Sequence, residues 1–244
     1  MDDAVNQIPS AEVDGRLARL GRGLWPPRCL VCGERGAGGR DLCRACAGAL
    51  PWNRSACGRC AIPLPAPAEL CGRCLRRPPA LDAARAAFVY AAPLDRLLPR
   101  LKFHDDLAAG RLLAALMLDD PRRPAAAAAT ALVAVPLARA RLRERGYDQA
   151  RELARPLARA LGLPLLDRAL QRVRDTPPQS SLGALARRRN LRGAFAAGFA
   201  GAVPARVLLI DDVMTTGATL HAAAAALRRA GVARVEAWVC ARVP

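Results

Sequence analysis

Apolar positions along this chain follow two regimes. From residue 83 to about 118, and again from residue 132 to the end, short apolar runs alternate with Ala/Leu/Arg stretches of helical character. The runs at 131–135, 207–210 and 235–239 are short and continuously apolar, which predicts buried strands, and 86–90 also reads as a strand. Residues 148–161 and 218–230 predict helices, with Pro156 forecasting a kink or break in the first and Gly231 a stop for the second. Such alternation predicts an α/β body with a parallel sheet flanked by helices. Residues 119–130 (DDPRRPAAAAAT) read as a linker or surface loop. Residues 175–190, rich in Pro, Gln, Ser and Arg, read as a mobile loop leading into a short helix. The chain therefore divides into a poorly ordered lead-in over 1–23, a cysteine-rich module over 24–77 and the α/β domain over 83–244.

Composition narrows the possibilities. A chain of 244 residues, 52% of them hydrophobic, can bury one sizeable core beside a small satellite module. No apolar run reaches the roughly 18 residues of a membrane helix. The first 23 residues lack the apolar stretch of a secretory signal, so a cytoplasmic protein without membrane insertion is expected. The net charge of +17 has two readings. It can serve polyanions such as phosphorylated metabolites or single-stranded DNA. It can equally reflect coding bias, because Lys102 is the single lysine among the basic residues. An aromatic content of 4% argues against an extended base-stacking surface; Trp25, Trp52 and Tyr90 are candidates for stacking or for the core.

Eight of the nine cysteines form four Cys-x-x-Cys pairs: Cys29/Cys32, Cys43/Cys46, Cys57/Cys60 and Cys71/Cys74. Ten residues separate each pair from the next, a 14-residue repeat. Two such knuckles complete one tetrahedral four-cysteine site, so eight thiolates can hold two zinc ions. A module this small has too little apolar surface to fold alone, and zinc supplies roughly 10–16 kcal/mol per structural site. The histidines, His104 and His221, lie outside the array, so the sites are closed by sulfur, which suits structure rather than catalysis. A disulfide framework and a redox-active pair are the competing readings. Sequential pairing closes shorter loops than interleaved pairing, and both remain open. Cys240 ends an apolar run and reads as a small buried hydrophobe.

The segment 207–220, VLLIDDVMTTGATL, places two acids where an apolar strand ends, then a small-residue loop that opens a helix. Adjacent carboxylates accept hydrogen bonds from vicinal hydroxyls. Small residues let backbone N–H groups wrap a phosphate at a helix N-terminus. Four apolar residues, two acids, one apolar residue, one spacer and Thr-Thr-Gly-x-Thr resemble the phosphoribosyl pyrophosphate (PRPP) signature of type I phosphoribosyltransferases. That resemblance implies that Asp211 and Asp212 hold the ribose hydroxyls. It implies that Thr215, Thr216, Gly217, Ala218 and Thr219 cradle the 5′-phosphate.

Residues 135–155 (VPLARARLRERGYDQARELAR) and 175–195 (DTPPQSSLGALARRRNLRGAF), together with the cysteine array, resemble the ComF family, associated with DNA uptake in competent bacteria, and relatives linked to gluconate utilisation. The resemblance implies a type I phosphoribosyltransferase fold behind a double zinc ribbon. Tyr147 and Asp148 stand where Phe and Asn are commoner in the family. By the same resemblance Pro136, Leu137, Ala138 and Arg139 form the pyrophosphate loop, with Arg145, Gly146 and Gln149 beside it. Thr176, Gln179, Arg187 and Asn190 fall in the loop that closes over the reacting centre, with Arg187 a catalytic candidate. Lys102 reads as a phosphate contact or an ordinary surface residue. The implied activity is PRPP binding with Mg²⁺ and a pentosyl (glycosyl) transfer to an unknown acceptor, in DNA uptake or nucleotide metabolism. The alternatives are a non-catalytic single-stranded-DNA-binding protein, working beside a competence helicase, and a PRPP-sensing regulator.

Overall fold

Buried strands need both faces covered, and the apolar runs form the four-stranded parallel sheet that this requirement dictates. The computed structural model describes residues 26–66, 68–125, 129–174, 191 and 193–244. The described elements are helices α1 (Arg44–Gly48) and α2 (Gly72–Arg76), strand β1 (Ala83–Val89), helices α3 (Leu94–Phe103) and α4 (Leu107–Asp119), and β2 (Ala131–Ala134). They continue with α5 (Arg139–Arg145), α6 (Gln149–Leu161), β3 (Leu170–Arg172), β4 (Phe195–Ala197), β5 (Arg206–Met214), α7 (Ala218–Arg229) and β6 (Arg234–Arg242). The main sheet runs β1-β6-β5-β2, all parallel, and β3 and β4 pair antiparallel in a separate two-stranded sheet. Residues 164–166 extend the outer edge of β2 through Leu132.

The chain forms two compact units, Met1–Gly48 and Ala49–Pro244. Among its described residues the first holds α1 and the first two cysteine pairs. The second holds the other two pairs and the whole sheet. Within the second unit α4 packs on α6, and α6 covers β5 and β2 on one face. Helix α7 packs on β4, β5 and β6. Leu220, Ala223, Ala224 and Leu227 of α7 are buried at helical spacing and join Leu209, Val235, Ala237 and Val239 in one cluster. Trp238 is fully buried in the strand between β1 and β5. Trp52 packs against Phe88 with ring centroids 4.5 Å apart and planes tilted by 41°, while Trp25 lies outside the described residues.

Several expectations need correction. Strand β5 does not end before the acids: it carries Asp211 and Asp212 and continues to Met214, because β6 pairs with it that far through Met214 and Arg242. Strand β6 likewise passes through Cys240 to Arg242. Pro156 does not interrupt α6. The ring removes one backbone donor, and the helix continues because Leu153, Ala154, Leu157 and Ala158 are buried on either side of it. Arg139 is the first residue of α5, so the loop after β2 spans 135–138. The expected linker at 119–130 begins inside α4, at Asp119.

Candidate functional site

Strand β2 stops at Ala134, opposite Ile210, whereas β5 runs four residues further. Among the described residues the β2 side of β5 therefore has no strand neighbour beyond Ile210, and the chain leaving β2 diverges. A cleft of about 740 Å³ opens in that gap. Its position at the carboxyl ends of parallel strands is where open α/β sheets take their ligands. Asp211, Asp212, Thr215 and Thr219 line one side, Pro136, Leu137, Arg145 and Gln149 the other, and Lys102 and Phe103 enter from the end of α3.

The acids are held by local geometry. The Asp211 carboxylate accepts from the Asp212 N–H at 2.9 Å, and Asp212 from the Val213 N–H at 2.6 Å. Lys102 Nζ lies 2.9 Å from Asp212 Oδ2, and Asp212 is only 4% exposed. Burial works against the Lys102 charge, but Asp212 and then Asp211 outweigh it and raise its pKa above the ordinary lysine value. Burial, reinforced by the Asp212 charge, lifts the Asp211 carboxyl well above its usual range. One ammonium thus faces the buried carboxylate of Asp212 and the half-buried one of Asp211. Such a site gains from further positive charge or from hydroxyl donors. The oxygen donors suit a hard divalent cation such as Mg²⁺.

Gly217 makes the turn that follows β5. Its φ of +76° is left-handed, and a Cβ there would sit 2.5 Å from Met214 Cε and 3.0 Å from His221 Nε2. Glycine alone fits both demands. The turn places the N-terminus of the 12-residue α7 directly after Thr215 and Thr216, with its first amides free of intrahelical partners. Thr216 and Ala218 border a second cleft rather than this one, so the expected cradle is split between two cavities.

Across the cleft, Asp148 ties two elements together. As the N-cap of α6 it accepts from the Ala150 and Arg151 N–H groups at 3.0 and 3.2 Å, and its other oxygen accepts from Leu137 N–H at 2.9 Å. The loop after β2 is thereby fixed to α6. Arg145 donates to Gln149 Oε1 at 2.7 Å and stacks over Phe103, 5.2 Å from the ring centroid. The Tyr147 hydroxyl donates to the Leu101 carbonyl, one residue before Lys102. Ala138 and Arg139 are not among the residues lining the cleft. Arg187, Thr176, Gln179 and Asn190 lie outside the described residues. Phe103, Arg141, Glu144 and Arg172 line it without having been singled out from sequence. Only Phe103 carried a signal, as an apolar residue next to the single lysine.

The cysteines group sequentially, Cys29/Cys32/Cys43/Cys46 and Cys57/Cys60/Cys71/Cys74, with the ligand atoms of each group within 4.8 Å of one another. Sulfur pairs Cys32–Cys43, Cys32–Cys46 and Cys60–Cys71 are 3.7 Å apart. A tetrahedral zinc with Zn–S bonds of about 2.3 Å requires S–S edges of about 3.8 Å. A disulfide needs about 2.05 Å. The spacing therefore suits zinc. Burial would raise the Cys57 thiol, but N–H donors from Cys71, Arg59 and Cys60 bring it down to about 7. In the same group burial pushes the Cys60 thiol up to about 11 and lifts Cys74 further, so the four become thiolates together only with a bound cation.

Comparison with known proteins gives this geometry a family. Residues 20–75 match the double zinc ribbon domain, and residues 148–244 match the phosphoribosyl transferase domain. Competence protein F of Haemophilus influenzae is 36% identical over 174 residues, covering 69% of this chain and 76% of that protein. The chain belongs to the ComF family. DNA utilization protein YhgH of Salmonella typhi and that of Escherichia coli strain K12 are each 35% identical to this ComF-family chain, over 175 and 173 residues. Each alignment covers 69% of the chain and 75% of the relative. The double zinc ribbon of this ComF-family protein spans both compact units, since its second cysteine group lies in the unit that holds the sheet. Among the described residues no helix is long and apolar enough to cross a membrane.

Proposed function

We propose that the cleft beside β5 binds PRPP with a divalent cation and that the protein acts as a phosphoribosyl-binding, and transferring, enzyme in the cytoplasm. One observation carries this reading: a buried and a half-buried carboxylate, met by a single ammonium, stand shortly before the N-terminus of α7. Ribose hydroxyls donate to Asp211 and Asp212. The 5′-phosphate meets the amides after Gly217, where the helix dipole favours an anion. Lys102 holds Asp212 in place and brings positive charge to the same end of the cleft. Leu137, fixed through Asp148, and Arg145 face the pyrophosphate end. Mg²⁺, when bound, would offset charge on the departing pyrophosphate. Titration calorimetry with PRPP and Mg²⁺ tests the reading. Binding below millimolar concentration is expected, weakened at least about tenfold by Asp211→Asn or Asp212→Asn; no heat at millimolar PRPP overturns it. Pyrophosphate release on adding candidate acceptors then separates transfer from sensing.

A second reading rests on the second cleft, of about 1030 Å³, whose described lining holds the exposed Arg73, Arg76, Arg77 and Arg229 and no carboxylate, beside Cys60, Cys71 and Cys74 of the second cysteine group. A strip of this kind suits the phosphates of single-stranded DNA. The relatives named for competence and DNA utilization fit that use.

A further inference from the structure

Arg242 is the last residue of β6 and only 5% exposed, a buried cation whose guanidinium donates to carbonyl oxygens. Its Nε donates to the Cys60 carbonyl at 2.9 Å. The two hydrogens of its Nη1 are shared among the carbonyls of Met214, at 3.1 Å, Thr215 and Val243. Cys60 belongs to the second four-cysteine group. Met214 and Thr215 are the residues from which the chain turns at Gly217 into α7. One rigid guanidinium fork therefore joins a metal knuckle to the loop beside the cleft.

The arrangement has an electrostatic reason. A zinc ion held by four thiolates is a net dianion, and a buried guanidinium beside it gains a counter-charge that carbonyl dipoles supply only in part. Metal closure also fixes the Cys57–Cys60 knuckle, because a four-cysteine site rarely holds its shape without its ion. With the ion gone, Arg242 loses both a counter-charge and a fixed acceptor. The Thr215 carbonyl then loses its anchor, while Met214 keeps only the Val243 N–H at 3.0 Å.

We infer that Arg242 is a positioning residue through which the second four-cysteine centre holds the phosphate loop, so that metal occupancy there sets the affinity of the cleft for a phosphorylated sugar. The inference rests on the reading that the loop at 215–219 receives a phosphate. It goes beyond that reading in making ligand affinity depend on zinc. It also gives the second cysteine group a part in ligand binding, whereas sulfur closure by itself suggests structure alone.

The test uses the full zinc-loaded chain, wild type, R242M and R242K, with zinc content and thermal melting measured for each. Ribose 5-phosphate is the probe for calorimetry, and amide hydrogen exchange over 214–219 is the ligand-independent readout. In the wild type, stepwise chelation should weaken ribose 5-phosphate binding about tenfold or more and speed exchange at 215–219, as loss of charged hydrogen bonds at a loop requires. R242M should start weak and fast-exchanging at full zinc content and respond little to chelation. R242K, which keeps the charge but not the fork, should fall between, and it decides the matter if R242M does not fold. Wild-type affinity and exchange that ignore chelation, or R242M and R242K indistinguishable from wild type, overturn the coupling. If zinc-loaded wild type fails to bind ribose 5-phosphate, the claim that the loop at 215–219 receives a phosphate falls, while the exchange at 215–219 still judges the link from the metal centre to the loop.

Discussion

Asp106 shows how much a single side chain can settle. It caps α4 by accepting from Ala109 N–H at 3.0 Å and receives Arg100 Nε at 2.7 Å. Burial alone would raise its carboxyl, but the Ala109 amide and the Arg100 guanidinium hold it below its ordinary value. Replacing Asp106 with Ala should cost about 1–2 kcal/mol at neutral pH, as cap removal does. A carboxylate depressed in the folded state contributes fully above the unfolded value of about 3.9 and loses that contribution as pH falls through the folded one. The urea midpoints of wild type and D106A should therefore converge below about pH 4. A gap that stays constant or widens in acid would show that the cap acts without its charge. Gly217 is the second decisive residue. Gly217→Ala forces a Cβ against Met214 and His221 at a left-handed φ, and should weaken PRPP at least about tenfold. Unchanged affinity would mean that the turn is not part of the ligand site. Gly217 was legible as a candidate from its motif, whereas the contacts that make it obligatory come from residues that only the turn brings together.

At the scale of elements, β5 is the informative strand. A run of Asp, Asp, Val, Met and Thr reads as the end of a strand, because acids seldom sit in a sheet interior. The strand continues because β6 supplies hydrogen bonds along its other edge, and the missing β2 neighbour turns that stretch into the wall of a cleft. Helix α6 carries the same lesson in reverse: the penalty for Pro156 is local, and the apolar face that overrides it is collective. The cysteine groups have the spacing of four-cysteine zinc sites, so their response to losing a ligand is predictable. Cys74→Ser should lower zinc from two ions per chain to one, measured by elemental analysis after gel filtration. It should also lower the melting temperature of the second unit, in which that group lies. Retention of two zinc ions would rule out a four-cysteine site at Cys57/Cys60/Cys71/Cys74.

For the whole molecule the question is whether the charge of +17 is used. Arg73, Arg76, Arg77 and Arg229 are exposed along one cleft. Single-stranded DNA that neutralises four phosphates there should bind with a log–log salt slope of about −3, reduced by about 2 in an R73A/R76A/R77A variant. A flat slope, or a slope unchanged in the variant, would assign the charge to composition rather than to binding.

The sequence by itself determined the features that are local in origin. A 14-residue cysteine repeat, a strand–turn–helix signature and alternating periods follow from bonding preferences that act over a few residues. Tertiary structure decided what depends on distant partners: Lys102 on Asp212, Asp148 on Leu137, Arg242 on Cys60 and Met214. It also decided that the cysteines group sequentially and that β5 outruns β2. The physical reason is that a charge or a backbone donor buried far along the chain takes its partner from whatever the packing of the sheet delivers, and no spacing in the sequence encodes that choice.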